Sequence, residues 1–393
     1  MAGSHETFDI VVIGAGPVGL SFATSLARSQ LKVAVVEKQP LERLANPAFD
    51  GREIALTNAS IAILRELGAW DAIPASDKSP LQGARVLNGS SPFTLRFDSP
   101  SRSREPLGVL VPNCRIRDAL FKIIRLQDHA QLLCGHAVVH ATNSHEGAVI
   151  TLSDGRQLTA RLLVAADSRL SPTRDLLGIG ADINQLGKSM LICRVRHERL
   201  HHQIAVEWFD HRQTIAMLPL TQGVSSLLLT LPSNQADRLI AFDDDLFLKE
   251  LTDRCRGRLG KMSLASTRHS YALVTTWAHK FCAPSAALVG DAAIGMHPVT
   301  AHGFNIGLSG QKQLANGILT ACRDRRDIAD PDLLHKYESC LRLSAAPIYH
   351  ATNILIGLYS GEHPAARVAR HVGLRFAQYL PFVRHGISAM LTR

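Results

Sequence analysis

Cysteine is scarce in this 393-residue chain: seven residues, at 114, 134, 193, 255, 282, 322 and 340, an odd number with no close pair and no spacing suited to zinc. That excludes a disulfide framework and a cysteine-ligated metal module, and it fits a reduced, cytosolic protein. A cationic segment ahead of the first apolar run is also missing, and Asp9 sits inside that run, so the start does not read as a signal peptide. Long uncharged stretches are few. The two longest, 292–311 and 343–361, are broken by Pro298 and Pro347 and by several Gly and His, which argues against a membrane span. Basic residues are not interleaved with stacking aromatics, so the signature of a nucleic-acid module is absent. What is present is 46% hydrophobic and 20% charged, which excludes a disordered or fibrous chain and suffices for a sizeable core. Lys plus Arg number 43 against 34 Asp plus Glu, a net charge of +9 that predicts a preference for an anionic partner or surface.

The first chemistry-bearing segment lies at the start. Residues 8–13 (FDIVVI) form a short β-branched apolar run, followed at once by Gly14-Ala15-Gly16-Pro17-Val18-Gly19 and then by a stretch with helical spacing. In a strand, glycine turn and helix of this kind, Gly14 permits the tight turn and Gly16 lets backbone approach a pyrophosphate. Gly19 lets the helix sit near the strand, and the helix N-terminus turns its free N–H groups toward phosphate. A second apolar run, 32–36, ends at Glu37, 23 positions beyond Gly14 and placed to hold a ribose hydroxyl pair. An acidic residue there disfavours a 2′-phosphate, so these residues predict a dinucleotide, NAD or FAD.

Two more apolar runs end in carboxylates. One is Leu162-Leu163-Val164-Ala165-Ala166-Asp167-Ser168-Arg169. The other runs from Ala286 to Gly290-Asp291 and leads into Met296-His297-Pro298-Val299-Thr300-Ala301-His302-Gly303-Phe304-Asn305. A strand that delivers a carboxylate to a glycine-containing loop opening a helix can bind a sugar-chain hydroxyl at Asp291. It can also turn the N–H groups around Gly303 to Asn305 toward an electron-rich ring edge.

With these segments in this order the chain resembles the class A FAD-dependent monooxygenases of the p-hydroxybenzoate hydroxylase superfamily. Within them it is most similar to the ubiquinone-biosynthesis hydroxylases of the UbiM branch. The resemblance covers nearly the whole chain and includes Gly51-Arg52-Glu53-Ile54-Ala55-Leu56-Thr57 and Leu355-Ile356-Gly357-Leu358-Tyr359-Ser360. It implies an α/β fold: a discontinuous Rossmann-like FAD-binding domain (1–76, 106–178 and 280–340), an inserted antiparallel-sheet substrate domain (77–105 and 179–279), and a C-terminal helical segment (341–393). It assigns FAD to Gly14, Gly16, Gly19, Glu37, Arg52, Asp167, Gly290, Asp291, Gly303 and Asn305, and places Pro298 beside the flavin ring. No metal ligand set is expected.

Three positions depart from the family pattern. Asp167-Ser168 stands for Asp-Gly, which makes a positive φ costlier there. Ala301-His302-Gly303 stands for Gly-Gln-Gly, and Asn113-Cys114 for Asn-Arg, so the cofactor contact of that arginine falls to Arg115 or Arg117 or is lost. His302 is the acid–base candidate, since its pKa class suits proton exchange with a phenol. A packing role fits it equally.

Runs at 202–208, 214–220 and 224–231 read as antiparallel hairpins, with no substrate contact assignable to any residue. Near the C-terminus, Ala365, Val368, Val372, Phe376 and Tyr379 would share one helical face, with Arg367 and Arg370 opposite. That basic amphipathic pattern suits anionic lipid or a partner of a ubiquinone-biosynthesis complex. The activity implied by the resemblance is hydroxylation of a polyprenylated phenol or quinol, a demethoxyubiquinol above all. Oxygen would be carried as a flavin C4a-hydroperoxide and electrons supplied by NADPH or another external donor, because no second GxGxxG is visible. The expected location is the cytoplasm, at the cytoplasmic side of the inner membrane. The rival readings are an FAD oxidoreductase that inserts no oxygen and a non-catalytic subunit of the biosynthetic assembly.

Overall fold

A computed structural model of the chain describes residues 5–91, 94–98, 106–210, 213–221 and 223–360. The basic helix expected within 364–393 lies outside the described residues. The elements that build the site are, in chain order, β1 (His5–Ile13), α1 (Pro17–Ser25), β2 (Val33–Glu37), β3 (Glu53–Leu56), β4 (Gly83–Asn88), β5 (Gly108–Pro112), α2 (Asn113–Ile124), β6 (Ala130–Cys134), β7 (Gln157–Ala165), β8 (Ala181–His197), β9 (Ile204–Asp210), β10 (Gln213–Pro219), β11 (Val224–Pro232), β12 (His269–Ala278), β13 (Ala286–Leu288), α3 (Gly303–Arg323) and α4 (Pro331–Ser360).

The first sheet has a parallel centre, β13-β7-β1-β2-β6, to which the strands Cys282–Ala283, Gly147–Leu152 and Val138–Ser144 add antiparallel pairings. Its strands are continuous β-branched and aliphatic runs because both faces are covered, and Ile10, Val11, Val12, Val33, Ala34 and Val35 have no solvent exposure. α1 packs against α2 and α3. All three carboxylates singled out in the sequence leave this sheet at the C-terminal ends of β2, β7 and β13, the end at which open α/β sheets bind ligands. Among the described residues no helix is long and apolar enough to cross a membrane.

The second sheet runs from Ile294–Gly295 through β12, β8, β11, β10, β9 and β4 to Thr94–Asp98. It is antiparallel except where β9 and β4 run parallel. Strand alternation gives it two unlike faces. Leu191, Cys193, Trp208, Ile215, Leu227 and Leu229 point one way and form a core with the helices Ser233–Ile240 and Asp244–Arg254. Each such Leu or Ile contributes about 1.5–3 kcal/mol by leaving water. Their alternates Met190, Ile192, Ala216, Leu228 and Thr230 face the first sheet's ligand end. A third, small sheet of β3, β5 and Ser79–Leu81 bridges the two. There the Arg194 guanidinium, on β8, donates two hydrogen bonds of 2.8 and 2.6 Å to Glu53 Oε1, on β3.

Candidate active site

The first βα turn shows why its glycines are needed. Gly14 has φ +105°, and a Cβ there would lie 2.6 Å from the Ala166 carbonyl oxygen. A Cβ on Gly19 would lie 2.0 Å from the Gly14 carbonyl oxygen, so α1 can start against the turn only with glycine at that point. Gly16 differs: it caps α1 with ordinary extended φ, and a Cβ there meets nothing within 4 Å. It faces open space, the place for a bulky anionic group against free helix N–H groups. Glu37 closes the turn from β2. Its Oε2 accepts the Ala15 N–H at 2.8 Å and its Oε1 the Gln39 N–H at 2.9 Å.

Asp167 organises the loop after β7 by accepting from the Ser171 hydroxyl and from the Thr173 N–H at 3.0 Å. Ser168, where the family pattern has glycine, takes φ +97°, and Ala301 takes φ +54°. Both departures therefore hold left-handed backbone with a side chain attached, at a cost of order 1 kcal/mol each. Asp291 receives a hydrogen bond from Arg169 Nη2 at 2.7 Å, while Arg169 Nη1 donates to the Val274 carbonyl at 3.0 Å. The buried Arg174 donates to the carbonyls of Arg169 and Ala292, tying the two loops together. Neither arginine stood out in the sequence.

These loops and the inner face of the second sheet enclose a cavity of about 730 Å³. Gly14, Gly16, Glu37, Arg52, Asp167, Asp291, Pro298 and Gly303 line it; Gly19, Gly290, His302 and Asn305 do not. Gly290, at φ +61°, supports the wall from behind, where its Cα packs close to Gly307 and Val18. The Asn305 side chain is a staple: it accepts the Thr57 N–H and donates to the carbonyls of Ala55 and Ala301, fixing the start of α3 to β3. His302 is buried as the N-cap of α3, behind the wall rather than on it. The histidine on the wall is His297. Its Nδ1 accepts the Val299 N–H at 3.1 Å, which puts the ring proton on Nε2. Burial, with Lys188 and Arg169 nearby, lowers its pKa to about 4, so the ring is neutral at physiological pH.

α2 sets Arg115 and Arg117 in different surroundings. Arg115 pairs with Asp77 at 2.9 Å, and Arg117 lines the cavity. Arg52 lines it too, paired with Asp50 at 2.6 Å; Asn113 donates to the same carboxylate, and Tyr271 donates to the Asp50 carbonyl. Burial pushes the Asp50 carboxyl up, but Arg52 and Asn113 outweigh it and hold it below the usual range. Glu53, with no solvent exposure, is raised by burial in spite of Arg194. Away from the cavity, the Cys282 thiol donates to Glu338 at 3.0 Å with His335 beside it. Burial and that carboxylate raise the thiol to about 12, which keeps it protonated.

The arrangement fits FAD on this chain's own features: an uncluttered Gly16 at a helix N-terminus, a carboxylate at the end of β2, and Arg52, Arg117 and Asp291 further along one continuous cavity. Comparison with known proteins agrees. The FAD binding domain family matches residues 7–351. The chain is 42% identical over 98% of its length to ubiquinone hydroxylase UbiM of Neisseria meningitidis, covering 84% of that protein. It is 24% identical over 95% of its length to the 3-demethoxyubiquinol 3-hydroxylase of Escherichia coli, covering 96% of it. Among solved structures, p-nitrophenol 4-monooxygenase PnpA from Pseudomonas putida has the same fold, with a TM-score of 0.77 at 18% identity over 98% of this chain and 99% of that one. The parallel sheet with its three carboxylate ends, the cavity roofed by a second sheet, and these matches place the chain in the FAD-binding-domain family, among the ubiquinone hydroxylases.

Proposed function

We propose that this protein is an FAD-dependent monooxygenase that hydroxylates the ring of a polyprenylated phenol or benzoquinol in ubiquinone biosynthesis, a demethoxyubiquinol in particular. The observation that carries the reading is the cavity's two-sided character. One wall is built from phosphate- and sugar-binding loops, and the other from the apolar face of an antiparallel sheet. A volume of about 730 Å³ is within the range of sites that enclose most of a small ligand.

Gly16 and the α1 N-terminus would hold the pyrophosphate, Glu37 the adenosine ribose, and Asp291 the sugar chain next to the ring. Bound FAD, reduced by an external donor, supplies oxygen activation that no protein side chain provides. The chain's part is positioning and exclusion of water. Met190, Ile192, Leu228 and Leu273 form an apolar wall for an aromatic ring, and Pro298 and Val299 face the same space from the loop before α3. Removing water there favours a ring held in one orientation and protects reactive species from hydrolysis. The neutral His297 offers its Nε2–H as a fixed donor.

A lipid-soluble substrate and the +9 balance support a place at the cytoplasmic face of the inner membrane, in contact with anionic lipid or with other enzymes of the pathway. Deleting the gene from its host tests the substrate. A prenylated intermediate lighter than ubiquinone by the missing ring oxygen and its methyl is expected to accumulate, and an unchanged quinone pool would overturn the reading.

A further inference from the structure

Glu207 sits in the middle of β9, between Val206 and Trp208, which point into the helix-covered core. Strand alternation turns its carboxyl the other way, into the cavity that it lines. Its cross-strand neighbour on β10 is Ala216, whose next partner on β11 is Leu228, which in turn pairs with Ile192 on β8. The carboxyl therefore stands over a small residue in an otherwise aliphatic row, with Thr214 and Thr230 paired in the next row. Among the described residues no side chain hydrogen-bonds or pairs with it. The half-buried carboxyl lines the cavity, and burial is the one cause that raises its pKa to about 8. Burying an unpaired carboxyl is costly, and a structural role would have supplied a partner, as Arg194 does for Glu53.

We infer that Glu207 is a catalytic residue whose carboxyl hydrogen-bonds the ring hydroxyl of the bound phenol or quinol and accepts its proton as the ring is hydroxylated. This rests on the reading of the cavity as a phenol or quinol site. The accepting form is the deprotonated one, which gains population as pH rises toward 8: the O–H bond of the substrate breaks, its electron pair stays on the ring oxygen, and the proton moves to the carboxylate oxygen. The ring thereby becomes more electron-rich when oxygen is delivered. The inserted oxygen atom comes from O2, the two electrons from the external donor through FAD, and the second oxygen leaves as water. The proton on Glu207 returns to solvent as product departs.

The test uses the FAD-loaded enzyme and two probes, a geranylated methoxyphenol and its methyl ether, with binding followed through the flavin spectrum. Wild type is expected to bind the phenol about tenfold or more tightly than the ether, the value of a hydrogen bond to a charged or strongly polar partner. Glu207→Met, similar in length and apolar, should keep its FAD and bind both probes within about twofold of each other. A variant that keeps FAD and also keeps the wild-type preference overturns the assignment of Glu207 alone. If wild type binds neither probe, the substrate reading falls and this inference with it. Should Glu207→Met not retain FAD, Glu207→Gln gives the answer. Its KM for the phenol should stay within about threefold while kcat falls by about a hundredfold, the usual value of a general base; an unchanged kcat overturns the inference.

Discussion

Arg169 Nη2 lies 2.7 Å from Asp291 Oδ2, joining loops 122 positions apart in the chain at the ends of β7 and β13. The bond fixes the carboxylate that faces the cavity from the Gly290 turn, and the same guanidinium reaches β12 through Val274. Asp291→Ala should therefore lose FAD, with affinity down about tenfold or more. Flavin absorbance after gel filtration reads this, and undiminished flavin content would refute the role of Asp291. Arg169→Met should weaken FAD in the same direction, since Asp291 then lacks its positioning partner.

The glycine turn separates fold from binding. Gly16→Ala adds a methyl to open space with no backbone strain, so the apoprotein should melt as wild type does while FAD binding falls. Gly19→Ala drives a Cβ to 2.0 Å from the Gly14 carbonyl oxygen and should destabilise the apoprotein itself. Thermal melts of the two apoproteins, set beside FAD titrations, distinguish them.

Ser168 and Ala301 hold positive φ where the family pattern has glycine. Ser168→Gly and Ala301→Gly should each stabilise the apoprotein by up to about 1 kcal/mol, seen as a small rise in Tm. A fall in Tm for both would show that their side chains make compensating contacts.

Two cavity groups make stability depend on pH with opposite sign. His297 titrates at about 4 when folded against an ordinary 6.5, so the unfolded chain binds its proton first and stability is lost as pH falls from about 6.5 toward 4. Glu207 titrates at about 8 against an ordinary 4.5, so the folded protein keeps a proton that the unfolded chain has released, and stability is lost as pH rises from about 4.5 to 8. The gain of Glu207→Gln over wild type should grow with pH across that interval, by at most about 1.4 kcal/mol per pH unit. For His297→Gln the gain should grow as pH falls. Denaturant melts at pH 5, 6.5 and 8 check both slopes.

The salt bridge between the sheets is asymmetric. Arg194→Met leaves the fully buried Glu53 unpaired and should cost about 3 kcal/mol, whereas Arg194→Met with Glu53→Leu should recover much of it. Chemical denaturation of the three proteins measures the difference.

The parts of the site that could be read from sequence are those in which one segment carries both motif and consequence. The run 8–13, the glycines at 14, 16 and 19, and Glu37 are local, and the structure lines the cavity with Gly14, Gly16 and Glu37. Arg169 was invisible because its meaning lies in a partner on another loop. Asn305 and His302 stand in the right segment, but helix geometry turns the first into a staple for β3 and buries the second, leaving His297 on the wall. Glu207 illustrates the limit best. A lone acid alternating with Val206 and Trp208 has the pattern of a solvent-facing strand residue. Only the placement of the second sheet over the first converts that face into a cavity wall.

The central claim is oxygen insertion into an aromatic ring at this cavity, and labelled oxygen tests it directly. Purified, FAD-loaded enzyme supplied with reductant, a prenylated phenol and 18O2 should yield product heavier by one 18O atom per new hydroxyl, with none taken from H2 18O in the converse experiment. A product without label from O2, or substrate oxidised with no oxygen added, would contradict the account and favour a hydride-transferring flavoprotein.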